Sequence, residues 1–281
     1  MSAWLPVSPC TPPGCATHDG PARRPLTAAA LLLAGCALTL TGALCTPLAL
    51  LLGRAVRERL TRGWAYGVVR AFGVQVRVVG RPDTRRGGPG VLVVANHVSW
   101  LDIPLIAAVC PGRMLAKSDI RNWPLLGPLA SLGGTLFVER ERLRALPATV
   151  HALATALRGG ARVVVFPQGS TWCGRGSGGR FRPAAFQAAI DAEAAVQPVR
   201  IRYLTAPAGR RAPAGAAAFV GDDPLAASLW RVVRAAGLTA EIHVRAPIPA
   251  GSVHGRRALA AMAQSTVASD SANLSAESVH H

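Results

Sequence analysis

In the run "VLVVANHVSWLDIP" a histidine and an aspartate, His97 and Asp102, stand five residues apart directly after an apolar stretch. Five helical residues turn about 500°, so the two cannot share a face of one helix. They meet only if His97 lies in a loop ahead of a helix. In that geometry Asp102 accepts a hydrogen bond from one imidazole nitrogen, fixes the tautomer and leaves the other nitrogen as a general base. No G-x-S-x-G nucleophile motif occurs, so the base would have to activate a hydroxyl carried by a substrate. None of the other six histidines has this partner spacing. A plainer reading stands beside this one: Ser99 and Asp102 have the S-x-x-D spacing of a capping box, which would make the aspartate a helix cap alone.

A second polar elbow ends the run "ARVVVFPQGST" that begins at Ala161. Pro167 and Gly169 in it serve either a strand-to-loop turn or a site at the strand end. Further on, Gly174, Gly176 and Gly179 spell G-x-G-x-x-G, but they neither directly follow a strand nor open a helix, so a dinucleotide site is not indicated. We read that stretch as a flexible loop. Its Arg175, Arg180 and Arg182 would attract anionic groups or form an ordinary solvated charge run. The six cysteines contain no CxxC pair and no His/Cys cluster at zinc spacing, so we expect no metal site and reduced thiols.

The elements that must position these residues alternate. Strand-like runs start at Val74, Val91, Arg113, Thr135, Ala161, Val196 and Ala240, separated mostly by helical stretches such as Ala145–Leu157, Ala184–Ala194 and Leu225–Ala236. Strand and helix alternation implies an α/β fold, a sheet flanked by helices. Residues 1–24 are rich in Pro, Gly and Ala and read as a disordered basic N-terminus. No charge occurs from Pro25 to Gly53, and Leu26–Thr46 is long enough, as a helix, to span a ~30 Å hydrocarbon core before Pro47 interrupts it. A membrane-anchoring helix is the expectation; a buried core helix and a cleaved signal ending near Cys36 are its alternatives. Residues 54–72 read as an amphipathic basic helix with Leu60, Trp64, Val68 and Phe72 on one face, suited to the membrane interface or to packing on the domain. The α/β domain then covers 73–266, with a flexible tail at 267–281.

Arg23 and Arg24 precede the apolar segment, whereas Arg54, Arg57, Arg59 and Arg62 follow it. That bias places the domain on the cytoplasmic side of a cell membrane. The formal charge of +17 suits an anionic membrane surface or a phosphorylated substrate. Nucleic acid is disfavoured, because two tyrosines and six phenylalanines accompany the arginines without forming a basic-aromatic stripe.

"NHVSWLDIP" resembles the first motif, N-H-x4-D, of the glycerolipid acyltransferases typified by 1-acyl-glycerol-3-phosphate (lysophosphatidic acid) acyltransferase. Three more blocks follow in that family's order. "GTLFVER" resembles G-x-x-F-x-x-R, "FPQGST" resembles F-P-E-G-T-R, and "VQPVRI" resembles the fourth motif. The resemblance implies an O-acyltransferase of phospholipid biosynthesis, with His97 as base and Asp102 orienting it. It implies acceptor binding by Arg140, whose guanidinium fork matches phosphate oxygens, and by Phe166, Pro167, Gln168, Gly169, Ser170, Thr171 and Pro198. Lys117, in "AKSDI", is a further anion contact by the same resemblance. The implied donor is an acyl-CoA or acyl carrier protein thioester, already activated, so no metal or bound cofactor is expected. The implied acceptor is a lysophospholipid, first of all 1-acyl-glycerol-3-phosphate. Gln168 and Thr171 depart from the motif's glutamate and arginine, which keeps two alternatives open: another lysolipid such as an amino-acid lipid, or a non-catalytic lipid-binding homologue.

Overall fold

Runs such as Leu92–Ala95 are apolar on both faces, as a strand must be when helices cover both sides of a parallel sheet. The computed structural model describes residues 8–18, 20–83, 88–123, 126–139, 142–176, 178–206 and 212–269. Its strands are β1 (Gln75–Val79), β2 (Val91–Ala95), β3 (Arg113–Lys117), β4 (Leu136–Val138), β5 (Arg162–Val165), β6 (Ala195–Thr205), β7 (Ala212–Pro213) and β8 (Thr239–Val244). They form one sheet in the order β1-β8-β6-β2-β5-β3-β4, with the short β7 added to β6. Pairing is parallel from β6 through β2, β5 and β3 to β4, and antiparallel between β6 and β8.

The helices are α1 (Pro12–Cys15), α2 (Pro25–Leu50), α3 (Arg54–Ala71), α4 (Asp102–Val109), α5 (Leu126–Leu132), α6 (Leu146–Arg158), α7 (Ala184–Asp191), α8 (Leu225–Arg234) and α9 (Gly255–Ala268). Strand alternation divides them between the two faces. Val93 and Ala95 of β2 join Val68 of α3 and Phe72 just after it, Leu105 and Ile106 of α4 and Val232 of α8. Leu92 and Val94 join Leu153 and Leu157 of α6, Phe186 of α7 and Leu259 of α9. The expected sheet flanked by helices is therefore the fold observed. Its functional consequence is that β2, β5, β3 and β4 all end along one edge.

Several boundaries differ from expectation. The apolar helix α2 does not stop at Pro47 but continues to Leu50, losing only the single backbone bond that proline cannot donate. Among the described residues α2 is the one helix long and apolar enough to cross a membrane, with 11% of its most apolar window buried, so it is not a core helix. It pairs with α3 through small residues: Gly35 lies against the Phe72 ring, Gly42 against Trp64, and the Trp64 indole donates to Leu38 O at 2.8 Å. The apolar stripe of α3 thus serves packing at Trp64, Val68 and Phe72, while Leu60 remains 52% exposed.

The N-terminus, read from composition as disordered, makes specific contacts in its described part. Arg23 donates to Val233 O, Ala235 O and Gly73 O at 2.9, 2.6 and 2.7 Å, tying residues ahead of α2 to the end of α8. Composition alone misses this because one guanidinium supplies the order that an apolar pattern would otherwise have to supply. At the other end α9 runs two residues past the expected start of a flexible tail; residues 270–281 lie outside the described residues.

Candidate active site

Where β2 ends, the chain must leave the sheet without abandoning the backbone groups of its neighbour β6. Asn96 solves this with its side chain: its amide donates to Ile201 O at 2.9 Å and accepts from Ile201 N at 2.8 Å, acting as one more ladder residue. His97 is thereby launched from a fixed point. The next residues turn at once into α4, whose first residue is Asp102.

Asp102 is fully buried, and four donors converge on its carboxylate. Oδ2 lies 2.7 Å from His97 Nδ1 and accepts from Val98 N at 2.7 Å and Ser99 N at 2.9 Å, while Oδ1 accepts from the Tyr203 hydroxyl at 2.7 Å. A buried carboxylate survives only when its acceptor sites are filled in this way. The capping and catalytic readings are thus not rivals, since one oxygen closes the turn ahead of α4 and holds the imidazole. Burial, and after it the Asp102 charge, keep the Tyr203 phenol well above its ordinary value near 10. Tyr203 is therefore an O–H donor at any working pH.

With Nδ1 committed to Asp102, Nε2 is the nitrogen left for a substrate, and the His97 side chain keeps 20% of its surface exposed. Phe166, at the end of β5, stacks on the imidazole with ring centroids 4.1 Å apart and planes inclined by 16°. Trp172 N donates to His97 O at 2.8 Å from the other side of the same elbow. Ring, main chain and carboxylate together leave His97 one orientation.

The remaining expected residues divide sharply. Lys117 closes β3 at the same sheet edge, about half exposed and 3.4 Å from the Asp119 carboxylate, an exposed pair worth little by itself. Arg140 lies outside the described residues; β4 ends two residues before it. Ser170 and Thr171 are half-buried beyond the turn that Gly169 closes at φ 74° by donating to Phe166 O at 3.1 Å. Pro167 is buried and accepts from Arg182 N at 2.9 Å. Pro198 is buried inside β6 opposite Val94 and accepts from Arg245 N at 3.0 Å. The surroundings of these two prolines are sheet and turn backbone.

Gln168 is likewise bonded to the main chain on both sides. It is 4% exposed, its carbonyl accepts from His97 N at 2.8 Å, and its amide donates to Gly179 O at 3.3 Å. Gly178, at φ 67°, passes so close that a Cβ there would collide with the Gln168 amide nitrogen. Gly178 and Gly179 therefore form a closely fitted cover over this side chain. Gln168→Glu turns one oxygen toward the Gly179 carbonyl with no donor between them. The expected cost is about 1–3 kcal/mol of stability, with no gain in kcat. Denaturant unfolding together with kcat checks this; unchanged stability with a raised KM for an anionic acceptor would return Gln168 to the binding pocket.

Sequence reasoning missed Asn96 and Tyr203 as site residues, although a signal for each was present. Asn96 stood in the quoted motif at a strand end, and period-two alternation puts Tyr203 on the face of Val199 and Ile201. The expectation of no metal site rested on spacing along the chain, whereas the cysteines, all six of them free thiols as expected, do not stay apart in the fold. Cys10, Cys15 and Cys173 converge, with all three sulfurs within 4.8 Å of one another.

Residues 75–202 match the model of the family described as Acyltransferase. A lyso-ornithine lipid O-acyltransferase of Pseudomonas aeruginosa is 38% identical over 218 residues, covering 75% of this chain and 78% of that protein. A 1-acyl-sn-glycerol-3-phosphate acyltransferase of Neisseria meningitidis is 38% identical over 186 residues, 66% of this chain and 70% of that one. The crystal structure of the 1-acyl-sn-glycerophosphate acyltransferase PlsC of Thermotoga maritima superposes with a TM-score of 0.63 at 19% identity, covering 88% of this chain and 95% of that chain. That likeness speaks for the fold.

Proposed function

The chain belongs to the acyltransferase family that includes 1-acyl-sn-glycerol-3-phosphate and lyso-ornithine lipid O-acyltransferases, and from that premise we propose that it acylates the free hydroxyl of a lysolipid at the membrane surface. The observation that carries the proposal is the His97–Asp102–Tyr203 chain at the sheet edge where β5, carrying the third motif block, also ends. His97 Nε2 takes the acceptor hydroxyl proton as the oxygen attacks the thioester carbonyl. The tetrahedral intermediate collapses to the ester and expels the thiolate of coenzyme A or of a carrier protein, which recovers the proton from His97. Asp102 stabilises the imidazolium in between. The thioester is itself the activated donor, so this route calls on no bound cofactor.

For the acceptor, 1-acyl-glycerol-3-phosphate is the first reading, with Arg140 and Lys117 drawing its phosphate. Arg140→Ala should raise the KM for that acceptor roughly ten- to a hundredfold, as expected for loss of a charged phosphate contact, and leave the donor KM nearly unchanged. An equal rise for both substrates would remove Arg140 from the acceptor site. Thr171 supports a second reading. It supplies no cation where the family motif has arginine, which suits an amino-acid head group such as that of a lyso-ornithine lipid. Acyl transfer by purified protein from acyl-CoA to each acceptor in turn decides between them, and no transfer to any lysolipid would leave only a lipid-binding homologue.

Attachment through α2 is supported by its length of about 39 Å at 1.5 Å per residue and by Leu26, Leu33 and Leu44, each more than 70% exposed. A cytoplasmic catalytic side rests on Arg54, Arg57, Arg59 and Arg62, since Arg23 is spent on protein carbonyls.

A further inference from the structure

Cys10 and Cys15 belong to a strap at the start of the described chain, Cys10 ahead of the short helix α1 and Cys15 its last residue, whose N–H donates to Thr11 O at 3.0 Å. Cys173 lies more than 150 residues away in the loop after β5, next to Trp172. Their convergence is built into the docking of the strap. A Cβ at Gly215 would collide with the carbonyl oxygens of Cys15 and Thr17, and one at Gly221 would press on Cys10 O and Pro12. Arg175 clamps the same strap by donating to Thr17 Oγ1 at 2.9 Å. The bare glycines let residues 10–17 lie directly on the domain, and the three thiols meet where strap and loop touch.

We propose that Cys10, Cys15 and Cys173 form a trithiolate site for one zinc ion, with water in the fourth position. Zinc takes thiolate sulfur at about 2.3 Å in tetrahedral geometry, which puts the sulfurs about 3.8 Å apart. The observed limit of 4.8 Å asks each side chain to close by no more than a small rotation. A disulfide requires two sulfurs at about 2 Å and leaves the third thiol over, whereas an odd number of converging thiols matches a three-ligand set. An all-sulfur set also selects a thiophilic ion over magnesium or calcium. Binding displaces the three thiol protons to solvent. The ion then joins the strap to a loop in which the residue before Cys173, Trp172, holds the His97 carbonyl.

The test uses the full-length protein purified in detergent under reducing conditions, incubated with zinc chloride, desalted and analysed by elemental mass spectrometry. One zinc per chain is expected. Cys10→Ser, Cys15→Ser and Cys173→Ser should each retain less than about a tenth of it, while Cys45→Ser, at an exposed position on α2, retains all. Cobalt in place of zinc should give a thiolate-to-metal charge-transfer band that each of the three variants loses, a signature that merely structural cysteines would not produce. Circular dichroism establishes that the variants are folded, and cobalt titration of the parent protein reads the site without any substitution. Zinc at the level of the triple serine variant, copper in its place, or an intact mass two hydrogens lighter from a disulfide among the three would each overturn the proposal.

Discussion

Replacing His97 with alanine lowers kcat by about 10²–10⁴-fold, the usual contribution of a positioned general base, and leaves the domain folded. The second half of that expectation follows from the Asp102 hydrogen bonds. When the imidazole is removed, the carboxylate still accepts from Val98 N, Ser99 N and the Tyr203 hydroxyl, so no buried charge is stranded. The His97 amide keeps its bond to Gln168, and its carbonyl keeps Trp172. What is lost in stability is the stacking on Phe166, worth about 0.5–1.5 kcal/mol. Turnover with acyl-CoA and a lysolipid, measured beside denaturant unfolding, separates the two effects. Activity within tenfold of the parent protein would mean that another group takes the proton.

The strand ends were legible because they obey local rules. Valine-rich runs between helical patterns announce a covered sheet, and a sheet with parallel strands gathers its loops on one edge. His97 with Asp102 was readable for the same reason: a strand end, a loop and a helix start lie within one short run. Gln168 was harder to read. Its position in a motif tied to acceptor binding suggested a pocket, yet its partners are His97 N and Gly179 O, groups that no side-chain pattern encodes. Main-chain partners are written in the fold and not in residue types.

The same limit explains the N-terminus. Residues 8–24 have no apolar period, and three carbonyls bonded to Arg23, together with Gly215 and Gly221 beneath residues 10–17, hold the described ones among them in place. Each contact joins residues far apart in the chain. Cys173 meets Cys10 and Cys15 only through that docking, so spacing rules for metal ligands could not have found the cluster. Tyr203 is an intermediate case: alternation along β6 predicts its face, but the sheet order that brings β6 beside β2 supplies its partner.

Asp102 and Tyr203 invite a paired experiment in which the two substitutions should fail differently. Asp102→Asn keeps the shape. Its amide nitrogen can turn toward the Tyr203 oxygen, leaving the carbonyl to accept from His97 Nδ1, Val98 N and Ser99 N, so tautomer and turn both survive. The negative charge that stabilises the imidazolium is what disappears. A comparable exchange in hydrolytic triads costs about 10⁴ in kcat with the tautomer disturbed; with the tautomer retained, a fall of about 10²–10³-fold is expected here. Tyr203→Phe does the converse, leaving the charge in place but stripping Oδ1 of its donor in a fully buried setting. That should cost about 1–3 kcal/mol of stability while kcat stays within about tenfold of the parent. Asp102 thus loses mainly rate and Tyr203 mainly stability, a division read by pairing kcat with unfolding midpoints for both variants. If Asp102→Asn kept nearly full turnover and lost only stability, the carboxylate would be a helix cap and nothing more, and His97 would be acting without it.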